Sequence, residues 1–90
     1  MAFAVFYEES DAALIEAALC DTDSAVAQDY AEAFAARSVM GFSPCADQNV
    51  ASPSFRIELE GEPEDLAAIL DGEGYLGTLA QDVRECSERL

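Results

Sequence analysis

Carboxylates are the groups in this chain that could do chemistry: nineteen Asp and Glu stand among 90 residues, and there is no histidine. Two carboxylates at a suitable separation can share general acid–base work, and oxygen-rich clusters can hold a hard cation. The absence of histidine removes the commonest general base and metal ligand, so no serine or cysteine triad can be assembled in its usual form. With acids this dense, any given pair is expected by chance, and no pair stands out as catalytic. The chain reads as a protein that is not an enzyme. Asp21-Thr22-Asp23 begins like a calcium loop, but Ala25 stands at the fifth position and Val26 at the sixth, where the sharp turn needs glycine. Neither a GxGxxG nor a GxxxxGK phosphate loop occurs. No cofactor and no metal are expected.

The acids instead speak of a partner. Four arginines and no lysine leave a formal charge of −15. A surface this negative repels nucleic-acid phosphates and anionic headgroups, so direct binding to nucleic acid or membrane is disfavoured and a basic partner is favoured. The charge is also segregated along the chain: residues 1–32 carry −8, residues 33–57 carry +1 and residues 58–90 carry −8. Glu58, Glu60, Glu62, Glu64, Asp65, Asp71 and Glu73 form the densest run, with no base among them. On a strand, alternate residues repeat about every 6.6 Å along one face, so Glu58 and Glu60 make a row of anions. On a helix, residues three apart lie about 5–6 Å apart, which is the spacing of Asp29 and Glu32. These nine acids are the candidate partner-binding residues. DNA offers a phosphate about every 3.4 Å of rise on each strand, and carboxylate rows at such spacings can approximate that ladder.

Hydrophobic patterning supplies the elements that must position the acids. Phe3, Val5 and Tyr7 alternate in a strand over residues 2–8. Ser10 or Asp11 caps a helix running to Cys20, with Leu14, Ala18, Ile15 and Leu19 as its buried stripe. Asp23 or Ser24 caps a second helix whose Val26, Tyr30, Ala33, Phe34 and Arg37 share a face, ending near residues 38–41. Residues 41–53 read as a loop, with a short strand around 39–42. Phe55, Ile57 and Leu59 alternate with Arg56, Glu58 and Glu60, a strand with one wet face. Glu62-Pro63-Glu64-Asp65 opens a third helix with Leu66, Ile69 and Leu70 inside. Asp71-Gly72-Glu73-Gly74 breaks it. Thr78 to Gln81 matches a capping box for a last helix through Leu90, striped by Leu79, Val83, Cys86 and Leu90 and laced by Arg84–Glu88 and Glu85–Arg89 pairs. The sum is a single α+β domain over residues 1–90: a two- or three-stranded antiparallel sheet covered by three to four helices. Cys20, Cys45 and Cys86 suit neither a disulfide scaffold nor a CxxC site and read as buried thiols. Residues 1–7 lack the positive n-region of a secretory signal, and no apolar run is long enough to span a bilayer, so a cytoplasmic protein is expected.

In size, acidity, absence of lysine and segregated charge, the whole chain resembles small phage-encoded DNA-mimic inhibitors, including the anti-CRISPR proteins. The resemblance implies an inhibitor acting in a host cell's cytoplasm, with an acidic face that occupies the DNA-binding channel of a basic nucleic-acid-binding protein or ribonucleoprotein, such as a CRISPR surveillance complex. Two other readings fit the composition: a salt-adapted acidic protein without a mimicry role, and an acidic adaptor or immunity-type protein for one basic partner. The nearly neutral 39–55 region leaves a homodimer contact open.

Overall fold

A computed structural model describes residues 1–37, 40–45 and 53–90. In chain order the elements are β1 (Ala2–Tyr7), α1 (Glu9–Asp21), α2 (Ala25–Ala35), β2 (Met40–Gly41), β3 (Ser54–Glu60), α3 (Pro63–Asp71), α4 (Gly77–Cys86) and β4 (Glu88–Arg89). The strands form one antiparallel sheet in the order β2-β3-β1-β4. This is the expected α+β class, with one strand more than anticipated.

Register follows from the alternation in the two long strands. Phe3 lies opposite Leu59, Val5 opposite Ile57 and Tyr7 opposite Phe55. All six point to one face, where the four helices contribute Ile15, Leu19, Tyr30, Phe34, Leu66, Leu70, Ala80 and Val83 to a continuous core. Removing each large apolar side chain from water contributes about 1.5–3 kcal/mol. Phe3 and Tyr30 meet edge-on at 6.3 Å, while Tyr7 and Phe34 lie 6.0 Å apart in a tilted pair. On the opposite face Ala2 pairs with Glu60, Ala4 with Glu58 and Glu88, and Phe6 with Arg56. Glu58, Glu60 and Glu88 are exposed there.

Several expectations need correction. Leu14 and Val26 are 46% and 48% exposed, and Ala12 and Ala27 fill the positions expected of them. Alanine on the buried stripes lets α1 and α2 lie close to each other and to the sheet. The last helix ends at Cys86, because Ser87 turns extended and Glu88–Arg89 pairs with β1. Leu76, with no side-chain cap, occupies the N-cap position, so the box read at Thr78 does not form. With the helix shortened, neither Arg84–Glu88 nor Glu85–Arg89 forms; Arg84 reaches Glu64 and Asp71, and Arg89 reaches Glu62. The expected strand at 39–42 is present at Met40–Gly41, while residues 38–39 and most of the expected loop, 46–52, lie outside the described residues.

The cysteines are not buried thiols. Cys45 and Cys86 are joined in a disulfide with Cα atoms 5.6 Å apart, and Cys20 is free and exposed. A separation of 41 residues conceals this pair in the sequence. It becomes visible only when the segment after β2 is seen to return to the end of α4. By the chain-entropy argument, closing a loop of that length stabilises the fold by about 4 kcal/mol. Alkylation of protein purified without reductant, then denatured, is expected to label Cys20 alone; labelling of all three cysteines would show that the pair does not close.

Tyr7 carries the other exception to an otherwise apolar interior. Its ring is buried, but among the described residues its hydroxyl has no hydrogen-bond partner. Burial, and then the nearby carboxylates Asp82 and Asp11, push its pKa up, so the phenol stays neutral. A buried hydroxyl without a partner forfeits its hydration, and removing it while keeping the ring relieves that cost. Tyr7→Phe is therefore expected to raise the unfolding free energy by about 1 kcal/mol, seen as a higher urea midpoint with unchanged slope; a lower midpoint would show that the hydroxyl is satisfied in solution.

Candidate functional site

The register that buries Ile57 and Leu59 necessarily turns Glu58 and Glu60 outward, one pleat apart. Directly after Glu60 the chain reverses at Gly61, whose φ of +110° is a conformation that side-chain-bearing residues avoid. A Cβ there would stand 2.6 Å from an Asp65 carboxylate oxygen. This turn brings the start of α3 back toward the end of β3. Asp65 accepts a hydrogen bond of 3.0 Å from the Glu62 backbone N–H and so closes the first turn of α3, with Pro63 in the first helical position. On the other side, the Ser24 hydroxyl oxygen accepts from the Ala27 N–H at 3.0 Å and starts α2. The buried Tyr30 of α2 then donates its hydroxyl to the Glu60 carbonyl at 2.8 Å. Burial, reinforced by Asp65, raises the Tyr30 pKa, which keeps that proton in place.

Between α2, α3 and the end of β3 runs an open groove of about 960 Å³. Its lining is of two kinds. Val26, Ala33, Leu59, Ala68 and Ile69 supply apolar surface, and Asp29, Glu58, Glu60, Glu64 and Asp65 supply carboxylates. Five of the nine candidate acids, distant in sequence, thus converge on one concavity. The other four do not line it. Glu62 is the N-cap residue of α3 and pairs with Arg89 at 3.2 Å. Asp71 is engaged by Arg84 at the far end of α3. Glu73 sits in the turn that follows, and Glu32 projects from α2 outside the groove. Acids also occur away from it, at Glu8, Glu9 and Asp11 around the start of α1 and at Asp82 and Glu85 on α4.

Every arginine is already committed. Arg37 binds Glu16 at 2.9 Å and the Phe34 carbonyl at 2.7 Å, with its guanidinium over the Phe55 ring. Arg56 binds Glu58 at 2.6 Å. Arg84 grips Glu64 through two bonds of 2.8 and 3.0 Å and also reaches Asp71. In the groove, Asp29, Glu60 and Asp65 therefore have no arginine within salt-bridge distance among the described residues. The sequence reading missed the groove itself. Its only trace there is Val26 and Ile69, apolar residues at the margins of two amphipathic stripes.

The arrangement offers negative charge beside apolar surface. Among the described residues no group of three or more acids or cysteines is placed to hold a metal ion, and no helix is long and apolar enough to cross a membrane. Comparison with protein-family models, curated proteins and solved structures finds no match for the chain.

The Arg84 clamp gives the site a pH signature. Hydrogen bonds from Arg84 hold the Glu64 carboxyl below its ordinary value of 4.5. A carboxylate with a depressed folded-state pKa stabilises the fold above that ordinary value, and the contribution is lost as pH falls through the folded value. In Arg84→Gln the Glu64 titration, followed by side-chain carboxyl NMR, is expected to move up toward the ordinary range; an unmoved midpoint would show that the clamp is absent in solution.

Proposed function

We propose that this protein is an inhibitor that presents anions in place of a nucleic-acid backbone and obstructs the basic channel of a nucleic-acid-binding protein, for which a CRISPR surveillance complex is a fitting target. The observation that carries this reading is the convergence of Asp29, Glu58, Glu60, Glu64 and Asp65 on one groove in which Arg56 and Arg84 pair only Glu58 and Glu64, leaving Asp29, Glu60 and Asp65 without an arginine partner among the described residues. A target that binds polyphosphate already carries lysines and arginines arranged for repeated negative charge. Long-range attraction between such surfaces raises association rates to about 10⁸ M⁻¹s⁻¹ or more at low salt. In this reading the protein works in the cytoplasm, where thiols are kept reduced and the Cys45–Cys86 bond would not contribute to stability.

A specific acidic adaptor for one basic protein is the second reading, and the apolar lining favours it. Val26, Ala33 and Ile69 would gain nothing against a surface built only for phosphates. The two readings differ in competition, since a mimic and DNA exclude each other and an adaptor can bind beside DNA.

The test is capture of the target from a nuclease-treated host lysate by the immobilised chain, repeated with duplex DNA as competitor, with rising salt and with the triple variant Glu58→Lys, Glu60→Lys, Glu64→Lys. Mimicry predicts a nucleic-acid-binding protein that DNA displaces, that is lost at high salt and that the variant fails to retain. Retention in the presence of excess DNA supports the adaptor, and binding indifferent to salt and to the variant overturns both. Far-UV circular dichroism at about 0.15 M salt, where charges are screened beyond roughly 8 Å, is expected to show the wild type folded; a chain that folds only in molar salt would indicate a salt-adapted protein.

A further inference from the structure

The outer edge of β3 lies along the same groove. In the β1–β3 ladder the Gly61 N–H donates to the Met1 carbonyl at 2.7 Å, which fixes the phase: residues 55, 57, 59 and 61 direct their backbone groups toward β1. Residues 54, 56, 58 and 60 therefore direct theirs away from it. At the start of β3 this outer edge pairs with β2, Gly41 standing opposite Ser54. At its end the Glu60 carbonyl takes the Tyr30 hydroxyl, which shows that the edge looks toward α2 and into the groove. Between these points, no described residue hydrogen-bonds the outward N–H and C=O of Glu58. The outward main chain of Glu58, without a hydrogen-bond partner among the described residues, an apolar wall and a set of carboxylates thus share one concavity. The first of these binds main chain, the second an apolar side chain and the third cations.

We propose that the groove takes an extended segment of a partner protein in which cationic and apolar side chains alternate, laid along β3 at Glu58 as an added strand. Strand addition supplies main-chain hydrogen bonds, while alternate side chains of the guest fall on opposite faces. One set would rest on Val26, Ala33 and Ile69 between the helices, and the other would meet Glu58 and Glu60 on the exposed sheet face, with Asp29 and Asp65 at the rim. Charge complementarity selects lysine or arginine for the second set, because Asp29, Glu60 and Asp65 have no arginine of their own. The inference rests on the proposed function for the sign of the partner's charge, and adds the shape of the contact and the need for an apolar anchor, which a phosphate backbone does not have.

The experiment uses the intact chain and fluorescent synthetic peptides: one alternating Arg and Leu, one alternating Arg and Ser, and one alternating Glu and Leu. The Arg/Leu peptide is expected to bind and the Glu/Leu peptide not to bind. The Arg/Ser peptide is expected to bind at least about tenfold more weakly, through the loss of buried apolar area. Val26→Asn, at a surface position that leaves the core alone, is expected to weaken the Arg/Leu peptide about threefold or more and to leave the Arg/Ser peptide unchanged. Asp29→Asn and Glu60→Gln are expected to weaken both arginine peptides by about two- to fivefold each. Amide exchange should slow at Glu58 in the complex. Equal binding of the Arg/Leu and Arg/Ser peptides with no response at Val26 or at the Glu58 amide overturns the groove while leaving an electrostatic mimic intact. Binding of the arginine peptides unaffected by Asp29→Asn, Glu60→Gln and salt removes the charge reading beneath it.

Discussion

The pairing of β1 with β3 in a register that sets Phe3 against Leu59 and Val5 against Ile57 governs the rest of the molecule. Strand side chains alternate with period two, so a slip by one residue would carry Glu58 and Glu60 into the core and expel three apolar residues. Burial of an unpaired carboxylate costs far more than a surface one gains, and the register is accordingly specified. The same choice has a second consequence. Once Phe55, Ile57 and Leu59 face the helices, the acids of β3 are obliged to share the opposite face with Glu88 of β4. What holds the fold together thus also arrays part of its charge.

Four cations among so many anions are too few to neutralise the surface, and their positions suggest stapling. Arg37 connects the end of α2 to Glu16 of α1, Arg84 connects α4 to both ends of α3, and Arg89 connects β4 to the N-cap of α3. Arg56 alone stays within its own strand, beside Glu58. Exposed ion pairs contribute little individually, about 0–1 kcal/mol. Their greater effect here is on which anions remain uncompensated. Glu64 is neutralised at the groove's edge, whereas Asp29 and Glu60 line the groove without an arginine partner among the described residues. Self-repulsion among exposed acids is screened by solvent over roughly 8 Å at physiological salt.

Most of the secondary structure was legible because the core is built from strong periodic signals. The alternation in β3, the Ser24 cap and the Pro63 start each act locally and leave a mark within a few residues. Three of the errors fall where a distant partner overrides the local pattern. Thr78 looks like a cap, yet packing of Leu76 and Ala80 into the core places the helix start two residues earlier. Residues 87–90 continue the polarity of a helix, but the free edge of β1 offers hydrogen bonds that draw them into a strand. Cys45 and Cys86 are separated by too much chain for spacing to reveal their bond. For the site, the sequence supplied the acids but not their grouping. Asp29 and Glu60 come to line one groove where Tyr30, a core residue by its pattern, extends its hydroxyl to the Glu60 carbonyl at the end of β3.

That hydroxyl also helps to fix the end of the groove without a cation. Three local devices fix the end of the groove: the left-handed turn at Gly61, the Tyr30 bond to the Glu60 carbonyl, and the Asp65 bond to the Glu62 amide. Two of these bind backbone groups, so the geometry of the anionic side chains does not depend on neutralising them. Asp65 is spent partly on its own helix, where a carboxylate near the positive end of the macrodipole is favoured. Binding of a flexible acidic tail would have to order the chain as it docks, and that entropy would be subtracted from the electrostatic attraction. Here folding of the core has already ordered it. Under the proposed function, attraction between this groove and a cationic partner would therefore be available for affinity and for rate.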